Sequence, residues 1–168
     1  MPAWNLQTTI DVVHSMVHRG KYFSGGYYNP ALANNGTLDL YLQGSGLHNT
    51  HLTLKFNASA EFTVTIFESP TVSAAGTGVT MSNHNTSSSN VFSGTATHTP
   101  TVTATGNAIN GVAYVTGGNG GNATGGSLDE FTSEFLLDKT KNFLFRATNI
   151  SGQAIRISGH LNVYQPTL

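Results

Sequence analysis

The chain predicts an all-β protein: an antiparallel β-sandwich, jelly-roll-like, with an extended N-terminal arm over residues 1–20 and the sandwich domain over residues 21–168. Three observations predict it. Apolar residues recur at every second position in several runs, the pattern of half-buried strands. The runs are short and separated by turn clusters, with no alternation of strand and helix. Charged residues make up 9% of the 168, against about 25% in an average soluble domain. Thr (23), Gly (19), Asn (16) and Ser (15) supply polarity through hydroxyls and amides, which suits strands and turns better than surface helices.

The first patterned segment, Ile10–His18, carries two signals. Ile10, Val13 and Val17 sit at helical spacing, and Thr8 with Asp11 has the form of a capping box. Its β-branched residues favour a strand, and a strand is expected. From Thr37 onward the alternation is clean: Leu38, Leu40 and Leu42, then Leu52, Leu54 and Phe56, then Phe62, Val64 and Ile66. Asn57–Ala60 has the length of a hairpin turn, so the runs on either side are expected to pair in a meander. Shorter strands are expected near Val79, Val91, Val102 and Val112, and another over Phe131–Leu137. Gly117–Gly126 buries too little side chain to hold itself and reads as an exposed mobile loop. Phe143, Phe145 and Ala147 form the next strand, Asn149–Gln153 turns the chain, and Ile155, Ile157, Leu161 and Val163 form the last. Gly159 interrupts that alternation, which predicts a bulge or bend.

Several function classes fall away on composition. A net charge of −1 with scattered Lys and Arg leaves no basic stripe for phosphates, so no nucleic-acid partner is expected. Zero cysteines removes disulfides, thiol catalysis and thiolate metal sites. Met1–Gln7 has neither a basic region nor an apolar run, and no stretch approaches the roughly 20 apolar residues of a membrane span. Neither secretion by a signal peptide nor a membrane partner is expected. Five Asn-x-Ser/Thr triplets, at Asn35, Asn57, Asn85, Asn122 and Asn149, are what this composition produces by chance.

Candidate chemistry is sparse, and no enzyme, metal or cofactor is expected. His14 and His18 would share a face as two metal ligands on a helix, but Ser15 stands where a zinc protease has its Glu, and no third ligand is evident. His48 and His51 read as polar surface residues. No Gly-x-Ser-x-Gly elbow singles out a serine. Asp129, Glu130, Glu134 and Asp138 cluster locally, whereas glycoside cleavage needs two acids across a cleft. The glycine run lacks the Asp carboxylates of calcium-binding repeats and the Lys-Ser or Lys-Thr of a phosphate loop. Trp4, Tyr22, Phe23, Tyr27, Tyr28 and Tyr41 gather towards the N-terminus, where they could fill a core, anchor a protein interface or stack on sugars.

Short motifs complete the reading. His18-Arg19-Gly20-Lys21-Tyr22-Phe23 matches His-x-Gly-x-x-Phe; it is followed by Phe67-Glu68, Thr71-Val72-Ser73, Asn83-His84-Asn85, Pro100-Thr101-Val102 and Tyr164. In that order and spacing, over Ile10–Gln165, the chain resembles a family of small all-β capsid-decoration (cement, or auxiliary head) proteins of tailed bacteriophages. It departs from the family pattern at Thr86, where Arg is expected, and at Gln165, where Glu is expected. The resemblance implies a structural virion protein made in the host cytoplasm and carried on the outer capsid surface. There it would bridge neighbouring capsomers of the major capsid protein as a homotrimer. Residues 1–20 would be the reaching arm, with Trp4, Leu6, Tyr22, Tyr27 and Tyr28 as capsid- or subunit-contacting residues. The alternative reading is a receptor- or glycan-binding module of a phage tail or fibre.

Overall fold

The computed structural model describes residues 12–116, 126–128 and 134–166, with backbone alone for 126–128. In chain order the elements are α1 (Val12–His18), β1 (Tyr22–Leu32), β2 (Thr37–Gln43), β3 (Thr50–Ala58), β4 (Phe62–Glu68), β5 (Thr71–Ala74), β6 (Thr77–Gly78) and β7 (Ser82–Asn83). They continue with β8 (Thr95–His98), β9 (Thr101–Ala104), β10 (Asn107–Ala108), β11 (Ala113–Val115), β12 (Gly126–Leu128), β13 (Phe135–Leu137), β14 (Asn142–Asn149) and β15 (Ile155–Tyr164). The protein is all-β and antiparallel, with one short helix among the described residues.

One sheet runs β12-β3-β15-β1-β7, with β13 also on β3; the other runs β10-β4-β14-β2-β8-β6, with β11 also on β4. Alternate residues of both sheets meet in one hydrophobic core that includes Phe23, Phe56, Leu161 and Val163 from the first and Leu40, Phe62, Ile66 and Phe145 from the second. Burying such side chains yields roughly 25 cal/mol per Å² of apolar surface removed from water.

Four sequence expectations change. The meander is replaced: β3 and β4 lie in different sheets, as do β14 and β15. Alternation fixes which residues face the core, and a short corner between two sheets satisfies it as well as a hairpin does. The strand expected over Ile10–His18 is replaced in its described part, where Val12–His18 is helical. Its end is fixed by Gly20 at φ +64°, with Gly20 N–H donating to the Val17 carbonyl (2.9 Å) and Lys21 N–H to the Met16 carbonyl (2.8 Å). This paired glycine C-cap and the buried Met16 outweigh β-branched propensity. No bulge occurs at Gly159, which pairs in continuous register with Tyr27 and Phe56. Glycine is needed there for space, since a Cβ would lie 2.5 Å from the Phe56 ring and 2.9 Å from Leu40 Cδ1. The register shift falls instead in β1, between Asn29 and Leu32, around Pro30. Finally, Val91 lies in an irregular segment rather than a strand.

Most of the Gly117–Gly126 run, together with Trp4, Leu6, Asp129, Glu130 and residues 131–133, lies outside the described residues. The second half of the expected arm is tied to the body: Asn85 Nδ2 donates to the His18 carbonyl, and Asn83 and Asn90 Nδ2 donate to the Gly20 carbonyl.

Candidate functional site

The two sheets present opposite kinds of outer face. In β2, Leu38, Leu40 and Leu42 point to the core, so Asp39 and Tyr41 point away from it; yet Tyr41 is 1% exposed, and its outward neighbour Leu144 on β14 is 0% exposed. The topology accounts for this through a two-stranded ribbon, β5 paired with β9. The chain leaves β4 at Glu68 and rejoins the same sheet as β6, beyond β8; it leaves β8 at His98 and rejoins as β10, beyond β4. Both segments must cross β14 and β2, and the core side is already filled. Thr97, which faces outward from β8, donates its hydroxyl to the Ala75 carbonyl and ties the ribbon down.

This strap is built from an internal repeat offset by 30 residues, Ile66–Val79 against Ala96–Ile109. Ser69 and Thr99, each before a proline, share positive φ (57° and 54°). Ser73 Oγ donates to the Thr101 carbonyl, and its counterpart Thr103 Oγ1 donates to the Thr71 carbonyl. Val79 N–H donates to Ala96, and Ile109 N–H to Ile66. The repeat was legible as Pro-Thr-Val-x-Ala-x-Gly, twice, and motif reading passed over it. Beneath the strap, Arg146 grips Asp39 with both Nε and Nη2 (2.8 and 2.7 Å), and this hydrogen bonding raises the guanidinium pKa.

No described segment straps the outer face of the other sheet. Rows of its outer face read Asn57, Ser158, Tyr28; then Lys55, His160, Gly26; then Thr53, Asn162, Ser24; then His51, Tyr164, Tyr22. Tyr28 is 54% exposed and borders a cavity of about 300 Å³ lined by Asn57, Ser59, Arg156 and Ser158. At the far end His51 stacks on Tyr164 (centroids 4.4 Å) and its Nδ1 lies 2.6 Å from Glu134. Tyr22 meets His84 edge-on, His84 lies 2.7 Å from Ser24 Oγ, and burial raises the Tyr22 pKa. Tyr27 points inward and stacks flat on His98, with centroids 3.7 Å apart. Of the five expected contact residues, Tyr28 is exposed on this outer face, Tyr22 lies half-buried on the same face against His84, Tyr27 packs against the core, and Trp4 and Leu6 are outside the described residues.

The described members of the acidic cluster, Glu134 and Asp138, have structural partners. Asp138 accepts from the Thr140 backbone and hydroxyl (both 2.8 Å), bonds that hold its carboxyl below the ordinary aspartate value. Gln165, buried, accepts from Ser93 and donates to Thr50 Oγ1, using a donor that a glutamate would lack. Among the described residues no three His, Asp or Glu side chains gather around a common point, and no helix is long and apolar enough to cross a membrane.

Comparison with family models, with curated proteins and with solved structures found no match to this chain. Its own structure defines an all-β antiparallel protein in which, among the described residues, one of the two large sheets carries a strap.

Proposed function

We propose that this chain is a non-enzymatic structural virion protein, a homotrimeric jelly-roll β-sandwich that decorates a bacteriophage capsid and holds neighbouring capsomers together. The strand order supports the fold. Taking β1, β2, β3, β4, β11, β12 with β13, β14 and β15 as strands one to eight, the sheets are ordered 1-8-3-6 and 2-7-4-5. That order is the one expected of a double Greek key and so supports a jelly-roll reading, an architecture used in viral capsids and lectins.

The observation that carries the functional reading is that the motifs of the resemblance join one another in space. Asn83 and Asn85 hydrogen-bond the backbone carbonyls of Gly20 and His18, and the strand carrying Thr71-Val72-Ser73 pairs with the strand carrying Thr101-Val102 in the strap. The open, charge-poor face is suited to wide, salt-tolerant contact, and many copies on one shell add modest contacts into strong cohesion.

The test is the copy number in purified particles together with a reconstruction. A number that scales with the capsid subunits, with density on the outer shell, supports the reading. A handful of copies at the tail overturns it. Light scattering of the isolated protein is expected to give three times the 17.7 kDa chain mass.

One observation favours the second reading, a glycan-binding tail module: Tyr28 borders a shallow depression whose lining mixes Asn57, Ser59, Arg156 and Ser158 with Ala58 and Ile157. Saturable binding to host polysaccharide, lost in Tyr28→Ala, would establish it.

A further inference from the structure

His14 and His18 lie one turn apart on α1, opposite the buried Met16, and both are exposed. Their Nε2 atoms are 3.0 Å apart, with ring centroids at 4.5 Å and planes inclined by 67°. Two nitrogens held so close share either one proton or one cation.

We propose that this pair is a bidentate site for a divalent late transition metal of tetragonal or octahedral preference, Cu²⁺ or Ni²⁺ rather than Zn²⁺. The spacing decides between them. With metal–nitrogen bonds of about 2.05 Å, a 3.0 Å separation subtends about 94° at the metal. That is the cis angle of square-planar or octahedral coordination, and tetrahedral zinc needs a wider one. Imidazole suits these metals, and no carboxylate is required.

The pair is also held in place. The glycine C-cap fixes the helix end, Met16 anchors its inner side, and Asn85 Nδ2 grips the His18 carbonyl at 3.0 Å. Binding therefore costs little further ordering. Among the described residues no third His, Asp or Glu joins the pair, so water completes the coordination sphere.

The experiment uses the full chain without an affinity tag. Calorimetric titration with nickel chloride is expected to show one ion per chain, with copper binding tighter and zinc weaker than nickel. His14→Asn and His18→Asn each remove the chelate and weaken binding about tenfold or more; His160→Asn, on the open sheet, leaves it unchanged. In the unmodified protein, paramagnetic Ni²⁺ broadens the imidazole resonances of His14 and His18 first. Broadening centred on other histidines, single variants that bind like the parent, zinc tighter than nickel, or no stoichiometric ion each overturn the proposal.

Discussion

Gly76 and Gly106 are counterparts in the strap, and each is pressed against the other half of the repeat. Their φ angles are +88° and +80°, and a Cβ on Gly76 would lie 2.2 Å from the His98 carbonyl oxygen, just as one on Gly106 would lie 2.2 Å from that of Glu68. The two obstacles are themselves repeat-equivalent.

Alanine at either glycine is therefore expected to destabilise the fold, and by similar amounts. The left-handed backbone alone costs about 1–2 kcal/mol, and the backbone collision raises this to about 2–4 kcal/mol. Urea denaturation of Gly76→Ala and Gly106→Ala measures it. If one is neutral while the other is severe, the symmetry does not extend to the energetics.

Gly159→Ala acts by a different route, since its added methyl group meets the Phe56 ring and Leu40 in the core. Overpacking of this kind costs about 1–3 kcal/mol. Phe56→Leu in the same chain is expected to recover part of the loss, and a double-mutant cycle by thermal unfolding reads the coupling.

Asn149 is fully buried and ties the strand-to-strand corners together. Its Nδ2 donates to the carbonyls of Leu32, Ala33 and Gln153, while Oδ1 accepts from the Ser151 backbone and hydroxyl. Asn149→Ala leaves those groups without their partner and is expected to cost about 3 kcal/mol. A loss below about 1 kcal/mol in chemical denaturation would show that water replaces the amide without penalty.

The Asp138 carboxyl is held below the ordinary aspartate value by the Thr140 backbone N–H, then by its hydroxyl. A depressed folded-state pKa contributes stability that is present above the unfolded value and lost as pH falls through the folded one. Thr140→Ala removes the hydroxyl bond, so the midpoint is expected to move up towards the ordinary value. Carboxyl-carbon NMR titration of Asp138 reads the shift directly.

How far the sequence disclosed this protein follows from what local patterns encode. Alternation at Leu38–Leu42 and Phe62–Ile66 identified the strands and their core-facing residues, because burial of one face imposes period two. It could not assign strands to sheets, since the corner at Ser59–Glu61 looks like a hairpin turn until its partners are known. The helix at Val12–His18 was missed through its β-branched residues, although Gly20 was a visible stop signal. Tyr41 and Leu144 looked like alternating outward positions, and only a long-range crossing of two segments 30 residues apart explains their burial. Of the clustered aromatics Tyr28 is the exposed one, while Tyr22 and Tyr27 meet His84 and His98, which no spacing rule connects to them.

The open sheet gives the most direct functional prediction. Ser158 sits between Tyr28 and Asn57 in the outer rows, and Asn162 sits between Ser24 and Thr53. If this face meets the shell, placing a long cation at either position obstructs close approach and introduces a charge that docking must desolvate. Ser158→Arg and Asn162→Arg are expected to weaken binding to undecorated capsids about tenfold or more, while unfolding stability stays within about 0.5 kcal/mol of the parent. Ser73→Arg, on the exposed strap over the opposite sheet, is expected to bind normally. Sedimentation of capsids with bound protein reads all three. Normal binding by the first two with loss in the third would transfer the contact to the strapped side.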